Sequence, residues 1–184
     1  MGYIFTVDTN FTCPSLPCRI FSHGKYEAMD EVIEHSPAFA DFPDLDEFKR
    51  IVRRREKMGT TGIGHGVAIA HGKVRFLKDI RVGLGVSVEG VDYGAVDGNP
   101  VHLLFVIASS PTLQMDYLRI LSRILRAVRD VSVRTDLVEY VSAWETMFPK
   151  DADVTMPASC VRFLALLDEL MPEGSDSPCG FPSR

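Results

Sequence analysis

Two of the five histidines in this 184-residue chain lie six residues apart in a glycine-rich stretch, GTTGIGHGVAIAHGKV, which covers residues 59–74. Imidazole can act as a metal ligand, a general acid or base, or a nucleophile, so His65 and His71 allow several kinds of site. The two rings could bind one metal ion, form a catalytic pair, or be unrelated side chains. The surrounding sequence has to decide between these alternatives.

The spacing disfavours a nucleotide site and a metal site. Gly62, Gly64 and Gly66 form G-x-G-x-G, but a dinucleotide-binding fingerprint follows a strand and opens a helix, whereas this stretch follows a helical pattern and opens a strand. On one straight strand, the two histidines would lie about 20 Å apart, too far to bind the same zinc ion. A metal site would need a fold-back at the glycines and a further ligand. We therefore expect no metal and no cofactor.

A single histidine nucleophile needs fewer groups. Neutral imidazole can attack phosphorus and form a phosphoramidate, which is itself a reactive phosphoryl donor. Backbone N–H groups can bind phosphoryl oxygens wherever no side chain blocks their approach, which suits Gly66 and Gly72. Arg55, at the end of the preceding helical pattern, could add a bidentate contact. The residues alone leave open the alternative of a structural or surface histidine.

Local patterns predict the elements that would position these groups. Asp44 is a favourable N-cap for a helix in LDEFKRIVRRREKM, and Gly59 ends that helix. GVAIAH is a short strand, and DIRVGLGVSVE alternates as a strand whose glycine-bearing face allows another element to come close. VHLLFVIAS is a nearly continuous apolar run, which is typical of a central strand. A weaker helical pattern covers residues 25–33.

The segment LQMDYLRILSRILRAVRD has the strongest helical pattern in the chain. Its expected buried stripe consists of Met115, Leu118, Leu121, Ile124, Leu125 and Val128. Arg119, Arg123 and Arg126 form a row on another face, which is either solvated or docks an acidic partner. Two more helices are predicted in TDLVEYVSAWETM and PASCVRFLALLDEL. This mixture of helices and strands predicts an α/β sheet domain covered by helices.

The composition is that of an ordinary globular protein. Hydrophobic residues make up 46% of the chain, charged residues make up 24%, and the formal net charge is −5. We find no dense basic stretch, no secretory signal and no apolar run of about 20 residues, so we expect a cytoplasmic protein without nucleic-acid binding or membrane insertion. The spacing of Cys13, Cys18, Cys160 and Cys179 favours reduced thiols over a disulfide or a metal clip.

The segment RREKMGTTGIGHGVAIAHGKV resembles the phosphorylation-site segment of the type 2 enzyme IIA proteins of the bacterial phosphotransferase system, the fructose, mannitol and nitrogen-regulatory family. Arg55 and Glu56 fall on the R-E pair of that family, and His71 falls on the phosphoryl acceptor of its A-[IV]-P-H-G motif. AVDGNPVHLLFVIAS resembles the downstream strand, so the resemblance covers about residues 25–125. Within the family, the sequence of the phosphorylation-site segment is most similar to that of the stand-alone nitrogen-regulatory branch.

Three positions depart from the family pattern. The proline before the acceptor is replaced by Ala70, which frees φ and restores an N–H. The second histidine of the family falls at Tyr117, whose phenol could donate a hydrogen bond to a phosphoryl oxygen. His65 replaces a polar Asn or Glu that the family places near the site. The resemblance therefore implies that the glycines fold back and that His65 is an auxiliary site residue.

The resemblance implies a mannitol-type enzyme IIA fold, a mixed β-sheet flanked by helices on both sides. The domain would cover residues 23–172, between a lead-in over residues 1–22 and a flexible tail over residues 173–184. His71 would accept a phosphoryl group from the histidine phosphocarrier protein, and Arg55 would stabilise its oxygens without a metal.

A free-standing regulatory protein is favoured for the downstream role, because the chain has no room for a IIB domain or a permease. Two alternatives stay open. A sugar-specific enzyme IIA would pass the phosphoryl group to a separate IIB component. A binding module that no longer transfers phosphate would account for the changes at Ala70 and Tyr117.

Overall fold

The computed structural model describes residues 17–146 and 157–168, and these ranges contain one five-stranded sheet and five α-helices. The strands are β1 (Cys18–Arg19), β2 (Gly62–Gly64), β3 (Val67–Lys73), β4 (Arg81–Val91) and β5 (Val101–Ser109). The helices are α1 (Lys25–His35), α2 (Leu45–Lys57), α3 (Gln114–Ala127), α4 (Val131–Thr146) and α5 (Ala158–Asp168). Short 3₁₀ segments, Pro37–Phe39 and Pro111–Leu113, follow α1 and β5.

The sheet is mixed, with the strand order β1-β4-β5-β3-β2. The central strand β5 runs parallel to β3 and antiparallel to β4. At the edges, β1 pairs parallel with β4, and β2 pairs antiparallel with β3. The apolar run VHLLFVIAS thus forms the central strand, as its composition predicted.

Helices pack on both faces of the sheet, which is why β5 has no polar face. Leu104 and Val106 of β5 lie in the core formed with α1 and α2. Leu103, Phe105 and Ile107 lie in the second core, formed with the helices α3 to α5. All five side chains are fully buried, and each contributes about 1.5–3 kcal/mol by leaving water. The expected mixed sheet with helices on both sides is confirmed.

The glycine-bearing face of β4 lies directly against the first helical layer. A Cβ atom on Gly85 would overlap Cγ2 of Val32, and one on Gly83 would lie 2.6 Å from the Phe39 ring. Neither separation is compatible with a side chain, so the alternating glycines allow α1 and the following 3₁₀ segment to approach the sheet. This confirms the close approach predicted from the sequence.

Helix α2 begins where its cap predicted. The side chain of Asp44 accepts a hydrogen bond from the N–H of Glu47 at 2.8 Å, which satisfies one of the free donors of the first turn. Phe48 and Val52 on one side of α2 are buried in the first core. The helix therefore reaches the glycine-rich segment with a fixed orientation.

The predicted buried stripe of α3 was partly wrong. Ile124 and Val128 are buried as expected, and Ile120 is buried with them. Exposed fractions are 65% for Met115, 46% for Leu118 and 36% for Leu125, and Leu121 is only partly buried. The helix carries apolar residues on two faces, and only the one that contains Ile120 and Ile124 is buried in the second core. The other face, with Leu118 and Leu125, is exposed in the described part of the chain.

Among the residues that the structure describes, Cys18 and Cys160 are free thiols. Burial raises the pKa of Cys18 to about 12 and that of Cys160 to about 11, so both stay protonated and unreactive near neutral pH. Cys13 and Cys179 lie outside the described residues, as do most of the predicted lead-in and the predicted tail over residues 173–184.

Candidate functional site

His71 lies near the carboxyl end of β3, at the edge of the second core. Its imidazole is partly buried, and its ring centroid is 5.4 Å from that of Tyr117 on α3, with an angle of 43° between the rings. Strand β3 is held in register by β5, where His71 pairs with Ile107. The sheet and α3 together place His71, the acceptor predicted from the sequence, beside Tyr117. This tyrosine stands at the position of the second family histidine.

The electrostatic environment of His71 favours its neutral form. Burial is the main cause of a pKa below the ordinary value of 6.5, and the positive charges of Arg55 and Lys73 lower it further, against a small opposing effect of Glu56. A neutral imidazole has a free lone pair on one ring nitrogen. The site therefore holds His71 in the state in which it can act as a nucleophile.

Arg55 is positioned by the C-terminal turn of α2. Its Nη1 donates a hydrogen bond to the carbonyl oxygen of Gly59 at 3.0 Å, which fixes the guanidinium at the start of the glycine-rich segment. Its charge adds to the effect of burial, which lowers the pKa of His71, and opposes the effect of burial on the pKa of Tyr117, so it acts on both rings of the site. Burial has the larger effect on Tyr117 and raises its pKa, so the phenol keeps its proton as a hydrogen-bond donor.

Lys73 is a further residue of the candidate site, and its role was not predicted from the sequence. It lies two residues after the acceptor, lowers the pKa of His71 through its charge, and donates from Nζ to Oε1 of Gln114 at 2.9 Å. The bond joins the end of β3 to the start of α3. Position i+2 on a strand was the available signal, because residues two apart share a face.

Glu56 is the second residue whose role the sequence did not reveal. It is only 3% exposed and lies within a hydrogen-bonded network. Its carboxylate accepts from Nζ of Lys25 at 3.1 Å, from the N–H of Thr61 at 3.1 Å, and from the Thr61 hydroxyl at 2.5 Å. The same hydroxyl lies 2.9 Å from the hydroxyl of Tyr93. This carboxylate fixes the segment that enters β2, while the neighbouring Arg55 faces the site.

The open edge of β3 offers backbone donors at the site. The N–H of Ile69 donates to the carbonyl oxygen of Thr61 at 3.1 Å, on the side away from β5. Because alternate N–H groups of a strand point the same way, those of His71 and Lys73 also point away from β5. The pairing of β2 ends at Ala68, so no strand within the described ranges covers these two N–H groups.

The predicted backbone donors, Gly66 and Gly72, require correction. The N–H of Gly72 points towards β5, like that of Val74, which donates to the Ser109 carbonyl at 2.8 Å. A Cβ atom on Gly72 would lie 2.8 Å from the Phe48 ring, so this glycine serves the packing of α2 on the sheet. Gly66 lies in the hairpin turn at the other end of β3. Neither glycine supplies the free N–H group that the sequence suggested.

His65 also does not join His71. The glycines do fold back, but the turn consists of His65 and Gly66 themselves, between the paired residues Gly64 and Val67. Both turn residues have positive φ, 56° and 75°, as in a type I′ hairpin. The four residue steps from Val67 to His71 span about 13 Å, so the two histidines lie at opposite ends of the strand. The inference of an auxiliary role for His65 is therefore corrected.

Over residues 17–146 and 157–168, no group of three or more His, Cys, Asp or Glu side chains is arranged to hold a metal ion. In the same part of the chain, the helices are too short or too polar to cross a bilayer.

Comparisons with known proteins identify the family of the chain. The family model of the phosphoenolpyruvate-dependent sugar phosphotransferase system, EIIA 2, matches residues 22–143. A nitrogen regulatory protein of Bradyrhizobium diazoefficiens is 39% identical over 88 residues, which are 47% of this chain and 57% of that protein. The fructose-specific EIIABC component of Bacillus subtilis is 31% identical over 125 residues, 68% of this chain and 20% of that protein.

A solved structure shares the fold. Nitrogen regulatory protein IIA-Ntr from Neisseria meningitidis superposes with a TM-score of 0.61 at 21% identity, over 84% of this chain and 93% of that one. The chain spans only a fifth of the Bacillus relative and a little over half of the Bradyrhizobium relative.

Proposed function

The chain belongs to the type 2 enzyme IIA family of the phosphoenolpyruvate-dependent sugar phosphotransferase system, and on that premise we propose that it is a phosphocarrier whose acceptor is His71. One observation carries the proposal. His71 is a partly buried imidazole whose pKa is lowered by burial and by the charge of Arg55, at a strand end whose outward N–H groups no described strand covers. We take residues 23–172 as the domain that performs this transfer.

The proposed reaction is an in-line transfer between two imidazoles. The lone pair of neutral His71 forms the new N–P bond, while the N–P bond of the donor phosphohistidine breaks and its electron pair stays on the donor nitrogen. Each ring keeps the proton on its second nitrogen, so no proton is transferred. Arg55, the Tyr117 hydroxyl and the N–H groups of the strand edge bind the phosphoryl oxygens, which carry the charge in the transition state.

The donor in this proposal is the histidine phosphocarrier protein, which docks around His71. Three apolar side chains are available for this docking, with exposed fractions of 81% for Met58, 53% for Phe76 and 65% for Met115. They lie just after α2, just after β3 and at the start of α3, the three elements that build the site. An apolar surface around the acceptor excludes water while the phosphoryl group moves.

The downstream role that we propose is regulatory, with the phosphorylation state as the signal. The similarity to nitrogen regulatory proteins supports this role. The similarity to fructose-specific proteins supports the second candidate, in which a separate IIB component takes the phosphoryl group from His71 for sugar uptake.

Intact mass after incubation with phosphoenolpyruvate, enzyme I and the phosphocarrier protein tests the transfer. The native chain is expected to gain one acid-labile phosphoryl group, and His71→Ala is expected to gain none. His65→Asn is the matched control, because Asn tolerates positive φ and the residue lies at the other end of β3. A phosphorylated His71→Ala protein would overturn the assignment. An unlabelled native chain, beside a labelled reference enzyme IIA, would favour the non-transferring binding module.

A second step separates regulation from transport. The phosphorylated chain is mixed with a purified fructose-type IIB component, and the loss of the phosphoryl mass is followed in time. A regulatory protein is expected to retain the label, because its surface was not selected to fit IIB. Complete transfer to IIB within seconds would make the transport role the correct one.

A further inference from the structure

The outer face of α3 is an open apolar groove. Leu118, Leu121, Ser122, Leu125, Arg126 and Arg129 line it, and its volume is about 390 Å³. The opposite face of the helix supplies the buried residues Ile120 and Ile124, so the groove is not part of the core. Its leucines follow the spacing i, i+3, i+7, which is the spacing at which one helix packs against another.

One edge of the groove is basic although the whole chain has a formal net charge of −5. Residues 114–129 contain four arginines and one acidic residue, Asp116, which pairs with Arg119 at 3.1 Å. In the described part of the chain, Arg123, Arg126 and Arg129 have no ion-pair partner. Three unpaired guanidinium groups beside exposed leucines form a surface complementary to an acidic, apolar ligand.

The groove begins at the residue that follows Tyr117 in the chain and extends past the C-terminal end of α3. Tyr117, whose ring lies 5.4 Å from that of His71, is followed directly by Leu118, the first residue of the groove. The last residue of α3, Ala127, is nine residues further along, which corresponds to about 14 Å of helix, and Arg129 lies in the turn that follows. The carrier-docking residues Met58, Phe76 and Met115 are not among the residues that line the groove. The two surfaces are therefore neighbours but not the same.

We propose that this groove binds an acidic amphipathic helix of a partner protein. Apolar residues of the partner helix would pack between Leu118, Leu121 and Leu125, and its carboxylates would pair with Arg126 and Arg129. This binding mode is the usual one for an amphipathic helix in an apolar groove. The proposal concerns the unphosphorylated chain, so it does not depend on whether His71 transfers phosphate.

Fluorescence anisotropy with a labelled synthetic helix tests the charge preference. The probe has about 14 residues, with leucines at i, i+3 and i+7 and glutamates beside them, and the comparison peptide has lysine in place of every glutamate. The native chain is expected to bind the glutamate peptide about tenfold or more tightly than the lysine peptide, less so at high salt. Equal affinities, or no binding of the glutamate peptide at millimolar concentration, would overturn the proposal.

Variants of the full chain locate the binding. The double variant Arg126→Glu/Arg129→Glu is expected to bind the lysine peptide more tightly than the glutamate peptide. Leu125→Ser is expected to weaken the binding of both peptides. The control is Arg50→Glu/Arg54→Glu, which makes the same charge change on α2, on the other side of the sheet. The groove variants are expected to accept phosphate at the native rate. Equal weakening by the control pair would show that net charge, and not the groove, attracts the peptide.

Two other occupants give distinct results. A native chain that sediments as a dimer, and as a monomer after Leu125→Ser, would mean that a second copy fills the groove. The second test uses the full chain with Leu170→Ser and Met171→Ser. If this variant binds the peptide about tenfold more tightly than the native chain, the C-terminal segment of the chain itself competes for the groove. Either result would replace the partner helix that we propose.

Discussion

The two ends of β3 carry the same side chain in opposite settings. At the start of the strand, His65 is exposed in a hairpin turn, and its N–H donates to the carboxylate of Asp97 at 2.8 Å. At the other end, His71 is partly buried between Arg55, Lys73 and Tyr117. One residue type thus serves a turn at one end and a candidate nucleophile at the other. The setting, and not the imidazole alone, determines which histidine can do chemistry.

Among the changes that test the difference between the surroundings of His65 and His71, Arg55→Gln is expected to have the largest effect. The variant removes the charge that would stabilise the phosphoryl oxygens, so we expect the rate of phosphorylation to fall by about 10²–10³-fold. Quench-flow measurements of phosphoryl uptake check this. Arg54→Gln is the neighbouring control, exposed on the same helix, and is expected to keep the native rate. Equal phosphorylation rates for both variants would mean that Arg55 does not assist the transfer, and that the acceptor end of β3 lacks the stabilising charge assigned to it.

Glu56→Gln is expected to have the next largest effect. The variant replaces a buried carboxylate that accepts hydrogen bonds from Lys25 and Thr61. We expect the free energy of unfolding to fall by about 2 kcal/mol, measured by urea denaturation. The half-exposed Glu47, which pairs with Arg50 at 2.8 Å, provides the control. Glu47→Gln is expected to cost less than about 0.5 kcal/mol. Similar losses for both would contradict the structural role of Glu56.

Tyr117→Phe tests the ring contact at the acceptor end with a smaller expected effect. The variant keeps the ring beside His71 and removes one hydrogen-bond donor, so phosphoryl uptake should slow by about two- to tenfold. Tyr26→Phe, on α1 beside Arg53, is a control that should leave the rate unchanged. An unaltered rate for Tyr117→Phe would show that the phenol does not contact the phosphoryl group.

The smallest expected effect is on the protonation of His71. Burial and two positive charges lower its pKa, so its NMR titration midpoint should lie below 6.5. Arg55→Gln should move the midpoint upward, because it removes one of those charges. Since the unfolded chain binds this proton more readily than the folded chain, folding stability should decrease as the pH falls below 6.5. A midpoint above 6.5 would contradict this account of the neutral acceptor.

The elements around the site were largely predictable because their signals are local. The cap Asp44, the alternation of β4 and the continuous apolar run of β5 each depend on neighbouring residues in the chain. The buried face of α3 was not predictable in the same way. Ile120 and Ile124 form one apolar face, Leu118 and Leu125 form another, and the packing of the whole fold decides which of them is buried.

The positions of the candidate site residues were predictable where a side chain carried the signal and not where the backbone did. Arg55, His71 and Tyr117 lie close to one another, as the resemblance implied. The position of His65 was mistaken, although a His-Gly pair between two short strand patterns is similar to the Asn-Gly pair of a two-residue hairpin. Within the described residues, no strand covers the N–H groups of His71 and Lys73, because β2 stops pairing before it reaches them. No residue type in the sequence marks that point.

Helix α3 carries Tyr117 and the open groove on one continuous element, and this has a thermodynamic consequence. Binding equilibria at two sites on one molecule are reciprocal. If a phosphoryl group on His71 changes the affinity of the groove for an acidic helix by some factor, that helix must change the phosphorylation equilibrium by the same factor. Because like charges repel, a partner in the groove should make the phosphorylated state less favourable. The bound protein would then help to set the signal that it receives.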